Sequence, residues 1–369
     1  MHAPFRFSLL LLSFALSGAQ ARPAHPEYRV TIVGPANSYA NDINAAGVVV
    51  GTYYLGSPGN SPSRGFINRG KGLTTLGTLG GSTGSAVAIN DKGQVLGNWT
   101  ANNGQQRGFI YYQGKQRDIG AVPGRVTTHT DINNAGYVTA IGAAPDFPDG
   151  VRSYLRRPGG QFRDIGNLSF AEPTMTNALA LNNRNQIAGE SGELTFPDQP
   201  LRAFTWTGGV MRDLGDFGFA PNGGTAINDR GQITGYMSLP EGFRDRVAFI
   251  YSNGRLINID GRAPVEGRNS SGAGINNHGH IVGASDHLSG FIWRGRRMES
   301  LNALVDRRLG WDIYSPQAIN DAGQIAANAM RNGVHYAVRL DLIRPSTLAA
   351  PELDAMTDAD EDAMSAKQR

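Results

Sequence analysis

Seven times the chain repeats one short pattern, Ile-Asn-x-x-Gly followed by an apolar stretch, and any fold it adopts must accommodate that recurrence. The copies begin at Ile43-Asn44, Ile89-Asn90, Ile132-Asn133, Leu181-Asn182, Ile227-Asn228, Ile275-Asn276 and Ile319-Asn320. Successive asparagines are 46, 43, 49, 46, 48 and 44 residues apart. A near-constant period of this size marks a chain built from one supersecondary unit, each copy burying its apolar face against the next.

Each copy carries a second element, a small residue and an aromatic leading into an apolar stretch: Gly65-Phe66, Gly108-Phe109, Ser153-Tyr154, Ala203-Phe204, Ala248-Phe249, Gly290-Phe291 and His335-Tyr336. His335 is the one departure at the small-residue place. A third element often ends in Asp-x-Gly, as in Asp118-Ile119-Gly120, Asp164-Ile165-Gly166 and Asp213-Leu214-Gly215. After the seventh aromatic the pattern stops near Arg339-Leu340. The missing strand stands at the other end, from Tyr28 to Gly34.

One copy reads as four strands. Ala86 to Asn90 is the first, Asn90 to Gly93 a turn, Gln94 to Trp99 the second, Gly108 to Tyr112 the third, and the fourth ends near Ile119. Four strands of about 5–6 residues with their turns account for the period, which is that of a propeller blade. The expected fold is all-β: a seven-bladed β-propeller of four-stranded antiparallel blades, closed by the N-terminal strand. The turn supports it. Its last position is Gly47, Gly93, Gly136, Gly231, Gly279 or Gly323, and Asn185 in the remaining copy. Gly and Asn best tolerate positive φ, so the exchange points to backbone conformation.

Residues 1–21 read as a cleavable signal peptide: Arg6, an apolar run from Leu9 to Leu16, then Ala19-Gln20-Ala21. The run is too short to span a bilayer, which needs about 20 apolar residues. The destination is therefore secreted or periplasmic, with no transmembrane segment. The chain has no cysteine, which excludes disulfides, thiolate metal sites and thiol nucleophiles. An exported chain without disulfides relies on its core, as a large repetitive fold can. Residues 22–344 form the expected propeller. Residues 345–369 hold six acids against Lys367 and Arg369 and read as an acidic disordered tail. The basic residues of the body are interspersed with acids, which argues against nucleic acid as a partner.

With these motifs in view, the chain resembles the HAF-repeat family of predicted extracellular repeat proteins. Ala-Ile-Asn-Asp-x-Gly-Gln followed by an apolar residue occurs at 88–95, 226–233 and 318–325, and Thr75 to Gly81 resembles the family's linking segment. The His-Ala-Phe of the family reads Arg-Gly-Phe or Arg-Ala-Phe at 64–66, 107–109 and 202–204, so its histidine is not a required ligand here. The resemblance implies export and a repeat fold. It brings no catalytic residue.

In a four-stranded meander the second-to-third connections and those between copies lie on one face, and here these are the longer ones. Loops on a rigid scaffold carry function. The binding candidates on that face are Tyr53, Tyr54, Trp99, Phe147, Phe196, Phe219, Phe243, Arg244, Trp311 and Tyr314, since aromatics beside polar groups suit sugar or protein recognition. Gly80 to Gly84 matches G-x-S-x-G, but that elbow must join a strand to a helix, and no helical pattern follows. His278, His280 and His287 do not converge as metal ligands must. Asp42 and Asp131, where other copies have Ala or Gly, are channel-lining candidates for acid/base work or cation binding. The repeated Asn-Asp-x-Gly lacks the alternating acids of calcium loops and reads as turn capping. The expectation is a non-catalytic, monomeric binding propeller with a glycan or protein ligand, without cofactor or metal. The alternatives are a polysaccharide-acting enzyme using channel carboxylates and a structural, envelope-associated repeat protein.

Overall fold

The computed structural model describes residues 27–57, 61–144, 150–168, 173–193, 201–215, 221–238, 246–261, 269–295 and 297–344. Segments 1–21 and 345–369 lie outside the described residues, as do the loop candidates Phe147, Phe196, Phe219, Phe243 and Arg244.

The described chain is all-β apart from the short helix Leu301–Leu304 and the 3-10 turn Arg307–Leu309. The second copy shows the unit: Thr83–Ile89, Val95–Thr100, Gln106–Tyr112 and Lys115–Gly120 form an antiparallel meander in chain order. Five sheets have four strands. A sixth has eight and consists of two such meanders, starting at Val126–Ile132 and Thr174–Leu181, joined by the single parallel pair Val151 with Met175. The N-terminal strand Tyr28–Ala36 pairs antiparallel with Val334–Leu342 and shares a sheet with Ile325–Arg331 and Asp312–Ile319. The two ends of the described chain thus meet in one sheet.

Two expectations need correction. The first strand of the second copy starts at Thr83 rather than Ala86, because Gly84 and Ser85 already pair with Trp99 and Asn98. The outermost strands are shorter than 5–6 residues in five copies: three in Leu73–Thr75, Phe162–Asp164 and Met298–Ser300, four in Val210–Asp213 and Arg255–Asn258. An outermost strand has one neighbour, and a short edge offers less unpaired backbone to other chains.

Turn chemistry builds the hairpin between first and second strands. The N–H of Gly47 donates to Asn44 O and that of Asn44 to Val48 O. The turn glycines have φ between 73° and 81°, and Asn185 takes the same place at 58°. The asparagine side chain completes the turn: Asn44 Oδ1 accepts the N–H groups of Ala46 and Val48 at 3.1 and 3.0 Å. Its Nδ2 leaves its own copy and donates to the main-chain oxygen of Asn90. The same bond runs from Asn90 to Asn133, on to Asn182, Asn228, Asn276 and Asn320, and from Asn320 back to Asn44, at 2.9–3.2 Å throughout.

The core lies between consecutive meanders. Val50 and Ile67 of one copy pack with Ala86, Val95 and Phe109 of the next. Ala326 and Ala337 pack with Ala40, Val49 and Phe66, so the last copy seals against the first in the same way. The repeated aromatic is fully buried as Phe66, Phe109, Phe204, Phe249 and Phe291. Its ring lies over the second strand because glycine faces it there, as Gly51 opposite Phe66, Gly97 opposite Phe109 and Gly283 opposite Phe291. A Cβ on Gly97 would stand 2.2 Å from Phe109 Cζ and 2.2 Å from Ser85 O.

Candidate functional site

The first strands share a bulge near their tight-turn ends. Every first strand carries one extra residue at the same repeat position, between Ala40 and Asp42, Ala86 and Ala88, His129 and Asp131, Ala178 and Ala180, Gly224 and Ala226, Gly272 and Gly274, and Pro316 and Ala318. A bulge twists its strand and re-aims the flanking side chains. The extra residue also bridges copies: Asn41, Thr130 and Thr225 donate to the carbonyls of Ala86, Ala178 and Gly272 at 2.6–2.8 Å.

The second-to-third connections shrink toward the C-terminal end, to residues 286–288 in the sixth copy and to 332–333 in the seventh. The latter is an Asn-Gly turn with both φ positive, at 52° and 75°. These connections depart from the long ones expected of this face, and beside residues 286–288 lies a groove of about 750 Å³.

Tyr236 and Arg246 line one side of the groove, Asn269, Ser270 and Ser271 the next, Ser285, Asp286 and Ser289 another, and Tyr314 the far side. The walls are fixed by their own bonds. Tyr236 Oη donates to Glu190 Oε2 at 2.6 Å, while Glu190 Oε1 accepts from Asn177 Nδ2 at 2.9 Å. Burial, together with the Glu190 charge and hydrogen bond, pushes the Tyr236 phenol well above its ordinary range. The Arg246 guanidinium stands 4.4 Å over the Tyr236 ring, a cation–π contact that holds both flat. Asp286 Oδ2 accepts the main-chain and side-chain N–H groups of Asn269, each at 3.0 Å. Asn269 Oδ1 in turn accepts the Arg246 N–H. Tyr314 Oη and His335 Nδ1 are 3.0 Å apart, and burial lifts the Tyr314 phenol to about 12.

Among the described residues lining the groove the charged ones are Arg246 and Asp286, and the others are four serines, Asn269, Ala284 and the rings of Tyr236 and Tyr314. The carboxylates around it already serve as acceptors in the walls: Asp286 from Asn269, Asp260 from Ser270, Asp312 from Asn302 and Ser289.

Of the described aromatic candidates, Tyr314 lines the groove. Tyr54 stacks edge-on against Tyr39 with ring centres 6.0 Å apart. Tyr53 bonds to Thr75 and packs on the core, as Trp99 does in the second copy. Trp311 packs edge-on against Tyr336 beneath Arg331. Neither tryptophan joins the groove, because each covers the apolar end of its own meander.

Asp42 and Asp131 sit at the opposite, tight-turn end. Asp42 accepts the N–H groups of Ile43 and Ile89, and Asp131 those of Ile132 and Leu181, at 2.7–2.8 Å. Each thus bridges its own copy to the next. Burial raises them to about 8 and about 6, Asp42 further because of the neighbouring Asp131 charge, with the N–H donors opposing the rise. Asp131 lines a cavity of about 200 Å³ with the asparagine cycle. The G-x-S-x-G stretch runs into the strand Thr83–Ile89, with no helix to form an elbow. His278 and His280 have ring centres 5.8 Å apart, while His287 bonds to Ser285.

No family model and no curated protein matches the chain. Among solved structures it is similar to the β-propeller domain of the Trilobed protease from Pyrococcus furiosus, at 9% identity and a TM-score of 0.57 over 88% of this chain and 100% of that one. It is similar also to an acylaminoacyl peptidase from Pyrococcus horikoshii, at 11% identity and a TM-score of 0.54 over 81% of this chain and 50% of that one. A third similar structure is YCF48 bound to D1 peptide, at 10% identity and a TM-score of 0.51 over 86% and 96% of the two chains. At such identities the likeness concerns the fold, and the fold is of β-propeller type.

Proposed function

We propose that the chain is a closed seven-bladed propeller whose long-loop face binds carbohydrate without catalysing a reaction. The closed ring is supported by the asparagine cycle from Asn44 to Asn320 and back, and by the sheet that joins the two chain ends. The observation that carries the binding reading is the groove, whose described lining is mainly hydroxyl, amide and aromatic groups with Arg246 and Asp286 as its charges. A phosphorylated ligand calls for several cations, a metal for several carboxylates. A neutral polyol calls for hydrogen-bonding groups of both kinds beside flat rings, as here. The proposal includes export to the periplasm or the exterior, by the segment at 1–21 and the HAF-repeat resemblance. No helix among the described residues is long and apolar enough to cross a membrane.

The test is a glycan array probed with the purified protein, followed by titration calorimetry on its best ligand. Tyr236→Ala and Tyr314→Ala are expected to weaken binding about tenfold each, the loss of one buried or stacking contact. Binding to peptides alone, or to glycans with both variants unaffected, would remove this reading.

A further inference from the structure

From Tyr314, at the edge of the groove, a run of ring contacts leads away. The His335 ring meets Tyr314 edge-on at 5.6 Å and lies stacked on Tyr39 at 5.8 Å. Tyr39 meets Tyr54 edge-on at 6.0 Å. Four rings therefore follow one another from the groove across the junction of last and first copies. Each is half-buried by its neighbours and keeps part of its surface in solvent. Tyr314 and His335 stand on the last copy's strands Asp312–Ile319 and Val334–Leu342. Tyr39 and Tyr54 stand on Ser38–Ile43 and Val49–Tyr54 of the first. The side chain that connects the two pairs is His335, at the place where the other copies have Gly, Ser or Ala. A core position filled by small residues elsewhere here carries a ring in contact with tyrosines on both sides, and the adjoining Asn332-Gly333 turn adds no loop above it.

We infer that this face takes an extended neutral glycan, several sugars long, lying in the groove with one end and along the Tyr314–His335–Tyr39–Tyr54 path with the other. The inference rests on the carbohydrate reading of the groove and adds length and direction to it. The C–H faces of successive pyranose rings are flat and apolar, and the solvent-facing parts of aromatic rings in series match them, whereas a short oligomer reaches no further than the groove. The two ends of such a ligand also touch opposite sides of the junction between first and last copies, so binding ties them together.

The experiment uses ladders of β-1,4-glucan, α-1,4-glucan and β-1,4-mannan oligosaccharides, from single sugar to hexasaccharide, titrated against the full mature chain and two variants. His335→Ala restores the residue type of the other copies at this site, so its fold is expected to persist, which circular dichroism checks. For one ladder, affinity is expected to rise stepwise with length. His335→Ala and Tyr39→Ala are expected to abolish the gain beyond the shortest binding oligomer, a loss of about 3–10-fold each; Tyr39→Ala leaves affinity for that oligomer unchanged, whereas His335→Ala also lowers it, because it removes the contact with Tyr314 Oη in the groove wall. Thermal stabilisation by the long oligomer is expected to exceed that by the short one at equal saturation. Affinity that does not depend on length, or a length dependence that survives both variants, overturns the inference and leaves the groove reading standing. Failure of all three ladders and of the array to bind overturns both.

Discussion

His129 is a basic side chain placed where it cannot take a proton without cost. It is fully buried, its Nδ1 pairs with Asn98 Oδ1 at 2.9 Å, and no described group reaches its Nε2. Corresponding positions hold Ala40, Ala86, Ala178, Gly224, Gly272 and Pro316. Here the imidazole fits because Gly108 leaves the space, a Cβ there standing 2.5 Å from the ring. Burial first, then the Arg156 charge, lowers its pKa from 6.5 to about 4. The folded protein thus binds this proton less readily than the unfolded chain. Stability from a neutral His129 is whole above pH 6.5 and drains as the pH falls toward 4, by about 2–3 kcal/mol. Urea unfolding at about pH 7.5 and about pH 4.5, on either side of the unfolded pKa, is expected to show the wild type gaining about 2–3 kcal/mol more than His129→Ala between the lower and the higher pH, since the contributions of His280, Asp42 and Asp131 are common to both proteins. An unchanged slope in the variant would assign the acid sensitivity elsewhere. Residues like this one show what the sequence conceals: His129 is visible as an oddity in the repeat, but its burial depends on a glycine in the neighbouring copy. Asp42 and Asp131 stood out in the same way. Their carboxylates turned out to face backbone N–H groups because the bulge aims them along the junction between copies.

Elements were legible where the demand was local. A turn asks for Gly or Asn at one position, a buried strand for a large apolar residue at another, and both recur within a few residues of each other. Pairings between elements were harder to see. The arginine before the small-aromatic pair and the Asp of Asp-x-Gly are both plain in the sequence, yet only the register brings Arg107 to Asp118, Arg152 to Asp164 and Arg202 to Asp213. Each such Asp also accepts the N–H of the glycine two residues on, at 2.8 Å. The site follows the same rule. Tyr314 was readable as an aromatic on the loop face, whereas Tyr236 and Arg246 were not, since strand ends reach the groove only through register. The short connection 286–288 was the countable signal for its location. The glycine beneath the aromatic makes a direct test at this scale. Gly97→Ala adds a methyl group 2.2 Å from both a ring and a backbone oxygen. Neither can yield alone, so a loss of about 1–3 kcal/mol and a lower Tm are expected. Gly70 is the comparison: the space around its Cβ direction is open, so Gly70→Ala meets only the backbone strain of φ 81°. If Gly97→Ala costs no more than Gly70→Ala, the Phe109 ring does not lie over the second strand.

At the scale of the whole molecule the question is whether the proposed ring is closed in solution. Besides the asparagine cycle, a second circuit of bonds runs around the tight-turn face through the residue after each asparagine. The N–H of Ala45 donates to Asp91 Oδ1, Asp91 to Asn134, Asn134 to Asn183, Asn183 to Asp229, Asp229 to Asn277 and Asn277 to Asp321, at 2.8–2.9 Å. The bond that would complete it runs from the Asp321 N–H to residue 45, and residue 45 is Ala. The gap falls at the junction of last and first copies. That junction is held instead by the strand Tyr28–Ala36 and by the bonds from Arg339 to Gly47 O and from the Ala40 N–H to Asn328, while Arg294, whose guanidinium clamps Glu27 and Glu299 at 2.8 Å, ties the start of that strand to the sixth copy. Ala45→Asn supplies the missing acceptor. If the ring is closed in solution, with Asn320 donating to Asn44 O, the new amide stands in reach of the Asp321 N–H, and the variant is expected to gain about 0.5–1.5 kcal/mol, the net worth of one hydrogen bond. Ala45→Asp is expected to gain less, because its charge adds to those of Asp91 and Asp321 on either side. Denaturant unfolding of the three proteins orders them as Asn above Asp above Ala. An open ring holds residues 45 and 321 apart, and then no variant gains, because a side chain at 45 has nothing to receive.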